Sequence, residues 1–281
     1  MKIKLGSNAY GKNSINLSRI IRHDSRHEFQ QISVDVQLTG DFEKAHTLGD
    51  NSMILPTDTQ KNTVYALARE KFTGPIESFG LALANHFLHE NKHIEAVRID
   101  IHEFPWHRIN IANTSHATAF INDGLEKRYT RVVMQRNSTA ITSGIKDLLI
   151  LKTTKSAFKD YIRDRYTTLK ETDDRILATQ CEIMWDYTSS DHDFNALFDN
   201  IRESLLKTFA DHDSLSVQHT LYAMGEAVLK QFDAVKEIHF AMPNKHHIPV
   251  DLSPFGLENK NEVFVATNEP FGFITGSVVR E

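Results

Sequence analysis

The stretch EFQQISVDVQLTGDF (residues 28–42) places Ile32, Val34, Val36 and Leu38 at every second position. Period two puts all four on one face of a strand. One apolar face and one polar face is the mark of an antiparallel sheet that is packed on one side only. Such a sheet needs helices to cover it, and the neighbouring sequence supplies them. A weaker strand, SINLSRIIR (14–22), precedes. LPTDTQKNTVYALAREKF (55–72) follows, with Thr57 and Gln60 at capping-box spacing, which predicts a helix with Thr57 as its cap. Gly74-Pro75 ends that helix and opens another, whose buried stripe is Ile76, Phe79, Leu83 and Phe87. EAVRIDIHEF (95–104) and KRYTRVVMQ (127–135) read as two further strands.

The order strand, strand, helix, helix, strand, strand then recurs. GIKDLLILKTT (144–154) and RILATQCEIMWDY (175–187) are strand candidates. DFNALFDNIRESLLKTFA (193–210) carries Phe194, Leu197, Ile201, Leu205 and Phe209 at helical spacing, and SVQHTLYAMGEAVLKQF (216–232) is a second helix. VKEIHFAM (235–242) and HHIPVDL (246–252) read as a hairpin around Pro243-Asn244-Lys245, and EVFVATN and FGFITGSVV close the chain. The repeat predicts an α+β protein of two tandem units, 1–137 and 138–281, each an antiparallel sheet backed by two helices.

The 281 residues are enough for two ordinary domains. A net charge of -5 shows no nucleic-acid footprint, and no apolar run is long enough to span a membrane. One cysteine, Cys181, excludes an intrachain disulfide framework and fits a reducing compartment. Fifteen histidines invite a metal hypothesis. HFLHENKH (86–93) sets His86, His89 and His93 near one helical face, and His89 and His93 have i, i+4 zinc spacing. No cysteine or carboxylate partner stands in a recognised motif nearby, so the reading is a solvated face. His246 and His247 are adjacent on a strand and point to opposite faces, which disfavours chelation. No metal site is expected.

Five segments are more particular than these patterns: YGK (10–12), DNSMILPTDTQKNTVY (50–65), RDRYTTLKETDDRILAT (163–179), SVQHTLY (216–222) and PNKHHIPVDL (243–252). Together, and in this order, they resemble the urate oxidase (uricase) family over almost the whole chain. The resemblance implies two tandem tunnelling-fold (T-fold) units, each a four-stranded antiparallel sheet with two helices on one face. It also implies a homotetramer with active sites at subunit interfaces. The implied reaction is oxidation of urate by dioxygen to 5-hydroxyisourate and hydrogen peroxide, with no metal and no organic cofactor.

By that resemblance Lys12, Thr57 and His246 form a proton relay. A charged lysine is a poor base unless desolvated or relayed, a hydroxyl both donates and accepts, and imidazoles exchange protons near neutrality. Arg175 and Gln218 clamp the purine edge, and Phe158 is the platform beneath the ring. Asp58 and Val217 give main-chain contacts, and Asn244 holds oxygen or water above the ring. Each residue also has an ordinary reading. Thr57 is a helix cap, Phe158 a core ring, Arg175 a surface ion-pair residue, Lys12 a solvated loop lysine and Asn244 a turn residue. His246 shares parity with Ile248, Val250 and Leu252, which predicts a core histidine. Singly the ordinary readings prevail; jointly, in family order, they do not.

The final GSVVRE lacks the small-basic-leucine peroxisomal signal, so a bacterial, cytoplasmic enzyme, or a truncated chain, is expected. Two alternatives come from other classes. One is another tunnelling-fold enzyme of purines or pterins, some of which use zinc; the other is a purine-binding protein without turnover.

Overall fold

The computed structural model describes residues 1, 3–122 and 124–281. They divide into two compact units, Met1–Gly144 with Asp186–Asn195, and Ile145–Trp185 with Ala196–Glu281.

The first unit contains β1 (Tyr10–Arg22), β2 (His27–Gly40), α1 (Glu43–Leu48), α2 (Thr57–Lys71), α3 (Ile76–Glu90) and β3 (Ile94–Glu103). β4 (His107–Ile111), β5 (Thr114–Ile121), β6 (Lys127–Gln135) and the start of β7 (Ser138–Lys152) complete it. The main strands run β1-β2-β3-β6 and are antiparallel. Across β2 and β3, Val34 faces Ile101, Val36 faces Ile99 and Leu38 faces Val97. All six are fully buried, as the alternation predicts. Ile76, Phe79, Leu83 and Phe87 of α3 are buried too, so the helical stripe packs as its spacing requires.

The second unit continues β7 and adds β8 (Leu177–Tyr187), α4 (Phe194–Asp211), α5 (Val217–Gln231) and β9 (Val235–Asn244). β10 (His247–Pro249), β11 (Phe264–Ala266) and β12 (Gly272–Val279) follow. Its strand order is β7-β8-β9-β12. Leu177, Thr179, Cys181, Ile183 and Trp185 line the buried face of β8. Burial pushes the Cys181 thiol up to about 12, so this cysteine is inert core.

The two units share a plan in which a small two-stranded sheet, β4-β5 or β10-β11, interrupts the path between the third and fourth main strands. The last helix of each presses a glycine against that fourth strand. A Cβ on Gly80 of α3 would lie 2.9 Å from Val132 Cγ2 of β6, and one on Gly225 of α5 would lie 2.5 Å from Val278 Cγ2 of β12. The β-branched valine cannot swing aside. Gly225→Ala is therefore expected to lower the melting temperature. Overpacking costs roughly 1–3 kcal/mol, more than the ~1 kcal/mol of helix propensity gained. A melting temperature equal to or above the wild-type value would contradict this packing account.

Four local expectations are corrected. Thr57 is the first helical residue of α2 and not its cap; Pro56 holds the cap position, with no side-chain cap hydrogen bond. β9 does not form a hairpin with the HHIPVDL segment; it pairs with β12, while β10 pairs with β11. Ile248 is consequently exposed, so the shared parity does not place His246 in a core. His93 lies beyond the end of α3, edge-on to Phe42 at 6.1 Å, so the helical i, i+4 pair with His89 does not exist.

Candidate active site

In the first unit the YGK and LPTDTQ segments are fastened to each other. The Tyr10 hydroxyl donates to the Leu55 carbonyl at 3.2 Å and accepts from the Leu55 N–H at 2.8 Å. Gln60 Nε2 donates to the same carbonyl at 3.2 Å. These bonds fix Leu55-Pro56 and hence the first turn of α2, which carries Thr57 and Asp58. Gly11 sits where a Cβ would lie 1.8 Å from the Val36 carbonyl oxygen, so only glycine fits. Lys12 follows at a register shift between β1 and β2. The Asp58 carboxyl is held below its usual range by a 2.5 Å hydrogen bond from Lys61 and, more weakly, by the charge of Lys12. Lys12, Thr57 and Asp58 therefore form one neighbourhood at the N-terminus of α2. That terminus favours an anion, because its first N–H groups lack intrahelical acceptors.

In the second unit Phe158 and Arg175 share one hydrogen-bonded framework. Phe158 and Thr172 exchange backbone bonds, Phe158 N–H to Thr172 O at 2.9 Å and Thr172 N–H to Phe158 O at 3.1 Å. Asp174 accepts from Thr154 Oγ1 at 2.7 Å and from the Ser156 N–H at 3.3 Å. Those bonds hold the segment bearing Phe158 beside the one bearing Arg175. The Arg175 guanidinium lies 5.1 Å from the centre of the Phe158 ring, and Tyr161 stacks on Phe158 at 5.0 Å. Burial pulls the Arg175 pKa down, its Nε is buried with no hydrogen-bond partner, and among the described residues it has no ion-pair partner. A buried, unpaired donor on a cation is costly unless a ligand completes it.

Val217 and Gln218 begin α5. Ser216 caps the helix by accepting from the His219 N–H at 3.1 Å, which leaves Val217 and Gln218 in the first turn, where N–H groups have no intrahelical acceptor. Val217 is buried and the Gln218 side chain is exposed. Asn244 ends β9, opposite Gly272 of β12, and is 8% exposed. The Lys245 N–H donates to Ala178 O at 2.8 Å, tying the exit of β9 to β8 just after Arg175. His246 follows, its carbonyl accepting from the Thr267 N–H at 2.9 Å. Lys12, Thr57 and Asp58 thus belong to the first unit; Phe158, Arg175, Val217, Gln218, Asn244 and His246 belong to the second.

Sequence reasoning gave no part to Tyr10, Asp174, Ser214 or Thr220, whose polar atoms hold the framework. Tyr10 sits within a motif that was quoted, and only its reach to Leu55, 45 residues on, reveals its use.

A family model described as Uricase matches residues 8–133 and 141–275. Uricase of Arthrobacter globiformis is 44% identical over 280 residues, which covers 100% of this chain and 91% of that protein. Uricase of Oryctolagus cuniculus is 38% identical over 279 residues, covering 97% and 93%. The crystal structure of the Arthrobacter globiformis protein matches with a TM-score of 0.95 at 44% identity, over 100% of this chain and 96% of that one. A uricase structure from Bacillus fastidious matches with a TM-score of 0.86 at 26% identity, over 98% and 94%. The two units are tandem tunnelling-fold units, and the chain belongs to the uricase family.

Proposed function

We propose that this chain oxidises urate with dioxygen and water to 5-hydroxyisourate and hydrogen peroxide, using its own side chains and no metal or organic cofactor. The supporting observation is Arg175: a half-buried guanidinium beside an aromatic ring, its Nε buried with no hydrogen-bond partner. A planar anion with adjacent acceptors satisfies that fork, and a flat ring stacks on Phe158. Gln218 takes the rest of the purine edge, and main-chain groups of Val217 and Asp58 add contacts at two helix N-termini.

Dioxygen is a triplet, so its direct reaction with closed-shell urate is spin-forbidden. The protein's task is to make urate more anionic until it yields one electron at a time. Lys12, Thr57 and His246 remove and pass on the proton, and Asn244 holds oxygen, then water, over the ring. Urate gives up two electrons and dioxygen gains them with two protons as peroxide. Water supplies the hydroxyl of the product. The functional units are 1–137 and 138–281, and the enzyme works in the cytoplasm. Among the described residues no helix is long and apolar enough to cross a membrane.

Purified protein in air should bleach the ultraviolet band of urate and should stop when oxygen is removed. Binding of urate without bleaching would instead favour a purine-binding protein without turnover.

Assembly completes the reading. We infer a homotetramer whose sites take Thr57 and Asp58 from one subunit and Phe158, Arg175 and Gln218 from another. Ile162, Tyr166, Leu169, Phe255 and Phe273 are exposed on the chain alone, which supports burial against further copies. Inactive Thr57→Ala and Arg175→Ala proteins, dissociated and reassembled together, should recover part of the activity, because a mixed interface can hold one intact site. No recovery in verified hybrids would mean that each site is built within one chain.

A further inference from the structure

Phe158 and the first turn of α5 come from segments about 60 residues apart in sequence, yet urate must touch both at once. The contact between these segments runs through Ser214. Its N–H donates to Lys155 O at 2.9 Å, and its carbonyl accepts from the Ala157 N–H at 2.8 Å, one residue before the platform ring. Its hydroxyl donates to Ser216 O at 3.0 Å, the carbonyl of the α5 cap. Thr220, fully buried in the first turn of α5, donates from Oγ1 to the Ser214 hydroxyl at 2.7 Å and approaches Ser216 O at 3.3 Å. Ser214 is 2% exposed. The Ser214 backbone therefore grips the segment that carries Phe158, and two buried hydroxyls brace Ser214 against the turn that carries Val217 and Gln218.

We propose that Ser214 and Thr220 are positioning residues that set the distance between the Phe158 platform and the Gln218 clamp, and so govern urate affinity. The proposal rests on the reading of Phe158, Val217 and Gln218 as urate contacts. A helix fastened only by its cap and apolar packing could slide by a few tenths of an ångström. The hydroxyl pair removes that freedom. A stacked ring and an edge-on amide must both fit one rigid planar ligand, so their spacing decides how well it binds. The two hydroxyls touch no reacting atom. Their effect falls on substrate and transition state alike, so losing them raises KM and leaves kcat nearly unchanged.

Thr220→Val keeps the shape and removes the hydroxyl; the Ser214 O–H retains Ser216 O as acceptor. The expected result for full-length protein is a rise in urate KM of roughly threefold to a hundredfold, with kcat within about twofold. Thr220→Ser should restore the wild-type KM. Ser214→Ala should raise KM similarly, and the double variant should be no worse than the poorer single one, because the pair acts as a unit. Phe158→Ala serves as the reference. If it raises KM while Thr220→Val and Ser214→Ala do not, the positioning proposal fails and the site reading stands. If Phe158→Ala leaves KM unchanged, the site reading itself fails. A KM rise in Thr220→Val that Thr220→Ser shares, or a loss confined to kcat, would also overturn the proposal. Ser214→Ala, a small change at a small residue, decides the matter if Thr220→Val folds poorly.

Discussion

Arg175→Ala should weaken urate binding by about 30-fold to a few thousandfold, while Arg202→Ala, at a half-buried position of α4 given no part in the site, should leave it unchanged. Removing one partner of a desolvated, charged hydrogen bond costs roughly 2–5 kcal/mol, and each 1.4 kcal/mol is tenfold. Arg175 is partly desolvated, its Nε has no protein acceptor, and no carboxylate shares its charge among the described residues. All of its pairing is therefore available to the ligand. Arg175→Lys should rescue little, because an ammonium is a point charge and cannot make two parallel bonds to a planar edge. Equilibrium binding of urate under anaerobic conditions measures this directly. Unchanged affinity in Arg175→Ala would remove the clamp from the mechanism.

The second large effect is expected in kcat. Lys12→Met and Thr57→Ala should each lower kcat by roughly 10²–10⁴-fold, the usual contribution of positioned proton transfer, with urate affinity much less affected. The double variant should be little worse than the poorer single one, because residues acting as a unit show non-additive losses. The structure supplies a reason to treat these two as one group. Tyr10 of β1 holds Leu55, just ahead of α2, and Gln60 of α2 bonds to the same carbonyl. His246→Ala should change the shape of the pH–rate profile if the proposed relay hands its proton to this imidazole. A double-mutant cycle on kcat, with pH profiles for each variant, tests the relay. Strictly multiplicative losses together with an unaltered profile in His246→Ala would reduce these residues to independent contacts.

The sheets and helices were legible because burial imposes a period. Ile32 to Leu38 on β2 and Val97 to Ile101 on β3 are fully buried where alternation puts them, and α3 buries its stripe. Period says which face a residue joins but not which strand it pairs with. That is why β9 read as one arm of a hairpin when its partner is β12, which begins 28 residues after it ends. The β4-β5 hairpin was illegible for a different reason. HRINI and TSHATAFI are largely exposed on both faces, so no apolar alternation marks them. The start of α2 misled because Thr57 and Gln60 have the capping-box spacing, whereas Gln60 is drawn inward to Leu55 and Pro56 takes the cap position. The candidate site was legible only as a set. A lysine, a threonine, an arginine and a phenylalanine each have commoner uses, and five ordered segments supplied what no single spacing could. Ser214 and Thr220 left no trace in the sequence, since a buried hydroxyl pair has no period and no motif of its own.

The central claim is that the chain's own side chains carry out the oxidation. It is tested most directly by stoichiometry in exhaustively chelated protein of verified low metal content. Urate loss, oxygen uptake and peroxide release are followed in one vessel. The account predicts undiminished turnover, with one dioxygen consumed and one peroxide released for each urate lost. Activity that disappears on chelation and returns with a single added metal, or urate loss without peroxide, would contradict it.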